Sequence, residues 1–192
     1  NEEYETILGN VHQETIRMSS IIESLLQLST VEANEQLDFE FINISDVLTE
    51  TISRSTDRIT KKDLILITKI DSSVKIKGKK EYLEEVFGNL ISNAIKYSDS
   101  GKTITIILKK KRNAVQFTIK DEGYGFDRDA QSRLFDRFYR SNQPSVQQEA
   151  GSGLGLALVK AIVELFDGSI SGSSEGIGKG STFTVVFSLT NS

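Results

Sequence analysis

Glycine is spread unevenly along this chain of 192 residues: of its 14 glycines, ten lie from Gly123 onward. Three non-overlapping Gly-x-Gly pairs stand out, Gly123-Tyr124-Gly125, Gly151-Ser152-Gly153 and Gly178-Lys179-Gly180. Glycine lets a backbone turn tightly or pass close to a ligand, so the second half of the chain must fold around several close approaches. The common phosphate-binding templates do not explain them. Gly101-Lys102-Thr103 has the second half of a P-loop, but Lys96 stands where the first glycine belongs. The dinucleotide pattern fails at all three pairs, because its third glycine is replaced by Arg128, Leu156 and Phe183. Neither a His-Arg-Asp loop nor an Asp-Phe-Gly of the eukaryotic protein kinase kind is present.

The start of the chain is patterned differently. From Glu3 to Glu32 there is no proline and one glycine. A heptad reading puts Tyr4, Val11, Met18 and Leu25 at a, and Ile7, Ile21 and Leu28 at d, with Glu14 the exception. Ile22 and Leu26 widen the stripe, which suits a long helix in a bundle. An amphipathic helix lying on the next domain fits the same pattern. The polar stretch from Glu32 to Gln36 marks a boundary.

Beyond it, Phe39 and Phe41 alternate as in a strand, and Asn43 or Ser45 can cap a helix over 46–58. The pattern predicts a strand over 64–70, a helix over 80–97, and a hairpin of 103–111 with 114–120 through Arg112-Asn113. A short helix over 127–135, a polar stretch 141–151 holding Pro144, a helix over 154–166, and strands over 169–173 and 182–189 follow. The expected fold is α/β: a two-layer sandwich of a mixed β-sheet with helices on one face, preceded by one long α-helix.

Composition narrows the partners. A net charge of −4 and a pI near 5.2 leave no basic surplus for a phosphate backbone, so no nucleic acid is expected. The chain has no cysteine, hence no disulfide or thiolate metal site. No apolar run reaches the roughly 18 residues of a membrane span, and the first residues do not resemble a signal peptide, so the chain as it stands is expected to be soluble.

Three segments can carry chemistry. At about 100° per residue, Asn89, Asn93, Lys96 and Tyr97 share one arc of their helix, while Leu83, Phe87, Leu90, Ile91 and Ala94 fill the adjoining one. Two amide oxygens suit magnesium already neutralised by a triphosphate, Lys96 can offset phosphate charge, and Tyr97 can lie against a base. A solvated polar face would look the same. Asp121 follows a strand directly and opens Asp121-Glu122-Gly123-Tyr124-Gly125. A carboxylate there can accept from adenine's amino group and would repel guanine's oxygen, although the sequence is also a common turn. Finally, Gly151-Ser152-Gly153-Leu154-Gly155-Leu156 opens a helix beside the polar stretch, a composition suited to a lid and a phosphate-facing helix end, or to a long surface loop.

Taken in order with Phe135-Asp136-Arg137-Phe138-Tyr139-Arg140 and Gly178-Lys179-Gly180-Ser181-Thr182, these segments resemble the catalytic ATP-binding domain of bacterial sensor histidine kinases over roughly residues 37–189. The preceding helix is similar to the second helix of their dimerisation and phosphoacceptor hairpin. The resemblance implies a partial hairpin at 1–34, a catalytic domain at 37–190, and the fold of gyrase-type ATPases. ATP and Mg2+ would be the cofactors, with Asn93 and Asn89 as metal ligands. Asn89, Asn93, Lys96, Tyr97, Asp121, Gly123, Gly125, Tyr139, Arg140, Gly151, Gly153, Leu154, Gly155 and Thr182 would contact nucleotide, and Asn89, Arg140 and Arg137 would serve the transfer of the γ-phosphate. The implied partners are the hairpin of the same protein, dimeric in the parent, and a response regulator. The implied location is the cytoplasmic side of a membrane-anchored parent.

One departure matters. The family's acceptor lies in a His-Glu/Asp box on the first hairpin helix, upstream of the Leu-Ser run. Here the single histidine, His12, sits in Val11-His12-Gln13-Glu14 at heptad position b. The fragment is therefore expected to bind ATP without phosphorylating itself. Gyrase-type ATPases and anti-sigma serine kinases carry a basic glutamate four residues before the magnesium asparagine; that position here is Asn89, which implies slow hydrolysis. A rival register pairing Glu85 with Asn89 restores the base but loses the match at Ala94-Ile95. A gyrase-type ATPase and a nucleotide-sensing scaffold remain the competing readings.

Overall fold

Alternation along the strands decides which face of the sheet is covered. In the computed structural model, which describes residues 2–33, 39–149 and 151–189, the central strands are β4 (Thr103–Lys110), β5 (Ala114–Asp121) and β7 (Ser181–Ser188). Their buried residues fall at every second position: Ile104, Ile106 and Leu108, then Val115, Phe117 and Ile119, then Phe183, Val185 and Phe187. The period of two sends all nine to one side, where the helices pack. The full sheet adds β2 (Ile65–Ile70) and β6 (Ser169–Ser173) in the order β2-β4-β5-β7-β6. The β2–β4 pair is parallel and every other pair antiparallel. The sheet is mixed and covered on one face, as the sequence predicts.

Three helices form the second layer: α2 (Ile44–Lys61), α3 (Lys80–Lys96) and α6 (Gly155–Leu165). Helix α3 packs between the other two, burying Leu83, Val86, Phe87, Leu90, Ile91, Ala94 and Ile95. Its Phe87 ring meets Phe117 of the sheet at 4.8 Å between centroids. Each buried Leu, Val, Ile or Phe among them contributes about 1.5–3 kcal/mol by leaving water. Helix α2 begins where Asn43 caps it, Oδ1 accepting from Ser45 N at 3.2 Å. Ser45 Oγ donates to the Asp71 carbonyl and accepts from Val74 N, tying the start of α2 to the turn after β2.

Two elements escape the sequence pattern. Strand β3 (Lys75–Gly78) pairs antiparallel with β1 (Glu40–Asn43) in a separate two-stranded ribbon. Ile76 is its only apolar residue, so no alternation is visible. Within the polar stretch, α5 (Pro144–Gln148) forms a single short turn with Pro144 at its start, where proline's fixed φ suits a helix. The helix expected over 127–135 is shorter, α4 (Arg128–Arg133), capped by Asp127 Oδ1 from Ala130 N at 2.8 Å.

Among the described residues of helix α1 (Glu2–Glu32), the buried ones lie in its last turns. Leu28 and Val31 are buried and α1 meets α6, while Gln27 Nε2 donates to Glu85 Oε1 at 3.4 Å and Glu32 pairs with Arg137. Tyr4, Ile7, Leu8, Val11, Met18, Ile22 and Leu26 are exposed, and so is His12. The apolar stripe therefore does not lie along the following domain. The boundary expected between residues 34 and 37 lies outside the described residues.

Candidate functional site

A cavity of about 350 Å³ opens between the C-terminal half of α3, the turn after β5, α5 and the glycine-rich start of α6. That size is in the range of sites for small organic ligands. Asn89, Asn93, Lys96, Tyr97, Asp121, Gly125, Tyr139, Arg140, Gly151, Gly153 and Gly155 all line it. One helical arc, one strand end and one glycine loop, read separately in the sequence, thus face a common space.

The polar arc of α3 is held in a definite orientation. Asn89 Nδ2 donates to the Glu85 carbonyl at 2.9 Å and to Glu85 Oε2 at 3.3 Å. Its Oδ1 faces Gly155, where an added Cβ would stand 2.6 Å away. Lys96 Nζ donates to Tyr97 Oη at 2.9 Å and would meet a Cβ on Gly151 at 2.6 Å. The loop is glycine at these two points because α3's polar groups occupy the space a side chain would take. At the start of α6, Leu154 makes no side-chain cap, so helix-end N–H groups are left for other acceptors.

Asp121, at the end of β5, is buried and accepts three hydrogen bonds from protein. Oδ1 accepts from Gly123 N at 2.8 Å and Ser181 N at 3.2 Å, and Oδ2 accepts from Ser181 Oγ. Burial pushes its carboxyl above the ordinary aspartate value, and the bonds from Ser181 and Gly123 pull the other way without cancelling it. Tyr124 Oη donates to Asp99 at 3.1 Å beside Tyr97.

The polar stretch lies against the cavity. Arg140 donates to the carbonyls of Val146 and Glu149 at 2.6 and 2.5 Å, and Gln143 Nε2 to the Gly125 carbonyl at 3.2 Å. Arg140 Nε and Gln143 Oε1 are buried without a protein partner.

Four residues expected at the site do not line the cavity. Arg137 pairs instead with Glu32 of α1. Thr182 falls on the helix-free face of β7, across from Lys120 and Ser173; one step in a strand reverses the side, so Ser181 and Phe183 line the cavity instead. Gly123 packs against the Tyr97 carbonyl, and Leu154 is buried beneath the loop. Ser181 was not singled out in the sequence, and only the pairing of Asp121 with Ser181 across β5 and β7 brings it into view. Ser24 of α1, also unforeseen, reaches the cavity from outside.

Among the described residues no group of histidine, cysteine or carboxylate side chains could hold a metal ion by itself. Neutral amide oxygens at Asn89 and Asn93 fit magnesium only as part of a phosphate complex, which supplies the missing charge and ligands. Nor is any described helix long and apolar enough to cross a membrane.

A two-layer sandwich whose glycine loop and asparagine helix frame one cavity defines a class of nucleotide-handling domains. The chain belongs to the family of histidine kinase-, DNA gyrase B-, and HSP90-like ATPases, which it matches over residues 78–191. Within that family it is homologous to sensor histidine kinases and corresponds to their catalytic ATP-binding domain. It is 33% identical over 184 residues to the heme sensor protein HssS of Staphylococcus saprophyticus, covering 95% of this chain and 39% of that protein. To the sensor-like histidine kinase SenX3 of Mycolicibacterium smegmatis it is 31% identical over 173 residues, 90% of this chain and 45% of the relative. The solved structure of the Acinetobacter baumannii histidine kinase AdeS superposes with a TM-score of 0.78 at 27% identity, over 97% of this chain and 86% of that one. The chain spans less than half the length of these two curated relatives.

Proposed function

We propose that this chain binds ATP as its magnesium complex and passes the γ-phosphate to a histidine imidazole on a dimerisation hairpin, for relay to a response-regulator aspartate. The observation that carries the reading is one cavity holding both a buried carboxylate at a strand end, Asp121, and an amide-bearing arc with a lysine, Asn89, Asn93 and Lys96. Asp121 accepts from the adenine amino group, and a guanine oxygen at the same place would face its negative charge. Lys96, Arg140 and the start of α6 offset charge on the phosphates. Asn93 and Asn89 hold Mg2+, which when bound neutralises charge on the phosphate oxygens. For Arg140 to reach a phosphate it exchanges its bonds to the Val146 and Glu149 carbonyls, so nucleotide entry and rearrangement of the 141–149 segment are one event.

In the transfer the imidazole lone pair attacks the γ-phosphorus, the bond to the bridging oxygen breaks, ADP leaves with its electrons, and the imidazolium gives an N–H proton to water. The acceptor needs little base assistance, which agrees with Asn89 rather than a glutamate in the cavity. Glu85 borders a neighbouring groove, not this cavity, so gyrase-type hydrolysis is disfavoured.

Residues 1–34 are the second hairpin helix and 37–190 the catalytic domain of a longer, membrane-anchored and dimeric cytoplasmic-facing sensor. His12, exposed on α1, is not the acceptor, and the fragment does not phosphorylate itself. Labelled ATP tests this. Phosphate is expected on an added hairpin carrying the histidine box and not on this chain. Acid-labile phosphate on His12 would overturn the acceptor assignment, and nucleotide binding without transfer to the hairpin would favour a scaffold.

A further inference from the structure

Glu85 lies one helical turn before Asn89, outside the nucleotide cavity. It borders a second, more open groove between α2 and α3, which also reaches Arg54, Arg58 and Ser92. Asn89 borders both spaces, so Glu85 touches it from the side away from a bound nucleotide. The contact is directional. Only an amide nitrogen can donate to the Glu85 carbonyl and to its Oε2 together; the flipped amide would set oxygen against two oxygens. Holding Nδ2 on Glu85 sends Oδ1 toward Gly155 and the cavity. The other carboxylate oxygen, Oε1, accepts from Gln27 of α1, so the docked end of α1 helps fix the rotamer of Glu85.

We propose that Glu85 is a positioning residue for magnesium-nucleotide binding. It locks the Asn89 amide with its oxygen toward the metal and phosphates, and Gln27 steadies it from α1. A hydrogen-bond partner behind a ligand side chain orients the ligand atom without itself touching the metal. The inference rests on the reading of Asn89 given above, and its test separates the two.

The test is calorimetric titration of the whole chain with a non-hydrolysable ATP analogue, once with magnesium and once in EDTA. Wild-type protein is expected to bind more tightly with the metal; equal binding in both would defeat the reading of the site and this inference with it. Glu85→Ala is expected to weaken the magnesium complex about three- to tenfold, the equivalent of about one hydrogen bond, and to leave binding in EDTA unchanged. Glu85→Gln keeps an oxygen for Asn89 Nδ2 and is expected to restore the affinity. With a metal-dependent wild type, three results would each overturn the role of Glu85 alone: no loss in Glu85→Ala, an equal loss in EDTA, or a Glu85→Gln variant as weak as the alanine. An unchanged thermal midpoint for Glu85→Ala shows that the variant is folded, and Glu85→Gln supplies the folded comparison if it is not.

Discussion

Asp121 carries the cost of the site at the scale of single residues. A carboxylate removed from water is unfavourable when ionised, and its raised pKa shows that Ser181 and Gly123 do not repay all of that. With the folded pKa above the unfolded one, the stability tied to this group is full below the unfolded value and is lost as pH rises through the folded value. Asp121→Asn is therefore expected to raise the thermal midpoint at neutral pH, with no gain at pH below the ordinary aspartate range. The same change is expected to weaken adenine nucleotide binding about 10- to 100-fold, the worth of a hydrogen bond to a charged group. In the wild type, affinity is expected to fall as acid protonates Asp121, at a higher pH than an ordinary aspartate would give; calorimetry across pH measures both. Asn89, Asn93, Lys96 and Tyr97 were legible because helical period alone puts them on one arc. Ser181 was not, since it depends on a register between strands 60 residues apart.

Among elements, α3 serves the core and the site at once, and its two arcs were readable because both follow the same 3.6-residue period. The glycine loop that faces it was readable as composition, not as geometry. Gly155 stands where a methyl group would meet Asn89 Oδ1, and it is the first residue of α6, where alanine is a better helix former. Gly155→Ala is therefore expected to leave the thermal midpoint within about 2 °C of wild type and to cut nucleotide affinity about tenfold. Undiminished affinity would mean that the loop does not close on the polar arc. β3 and α5 stayed hidden because each is too short to show a period: one borrows its order from β1, the other from Pro144 and the Arg140 bonds to its end.

At the scale of the whole molecule, the contacts between the domain and the long helix include buried Leu28 and Val31 and polar pairs from Gln27 and Glu32. The sheet order and the covered face followed from alternation in β4, β5 and β7. Where α1 would sit did not, because an amphipathic stripe does not name its partner. The docked turns of α1 bring Ser24 to the cavity and Gln27 to Glu85, so the long helix touches the cavity at its edge.

The most direct test of a single adenine-nucleotide cavity is an NMR titration of the isotope-labelled chain with the magnesium complex of a non-hydrolysable ATP analogue. The expected result is a set of amide and side-chain shifts confined to Asn89, Asn93, Asp121, Gly123, Ser181 and the loop from Gly151 to Gly155, with the exposed first turns of α1 unchanged. Shifts gathered on the helix-free face of the sheet, or none at millimolar ligand, would contradict it.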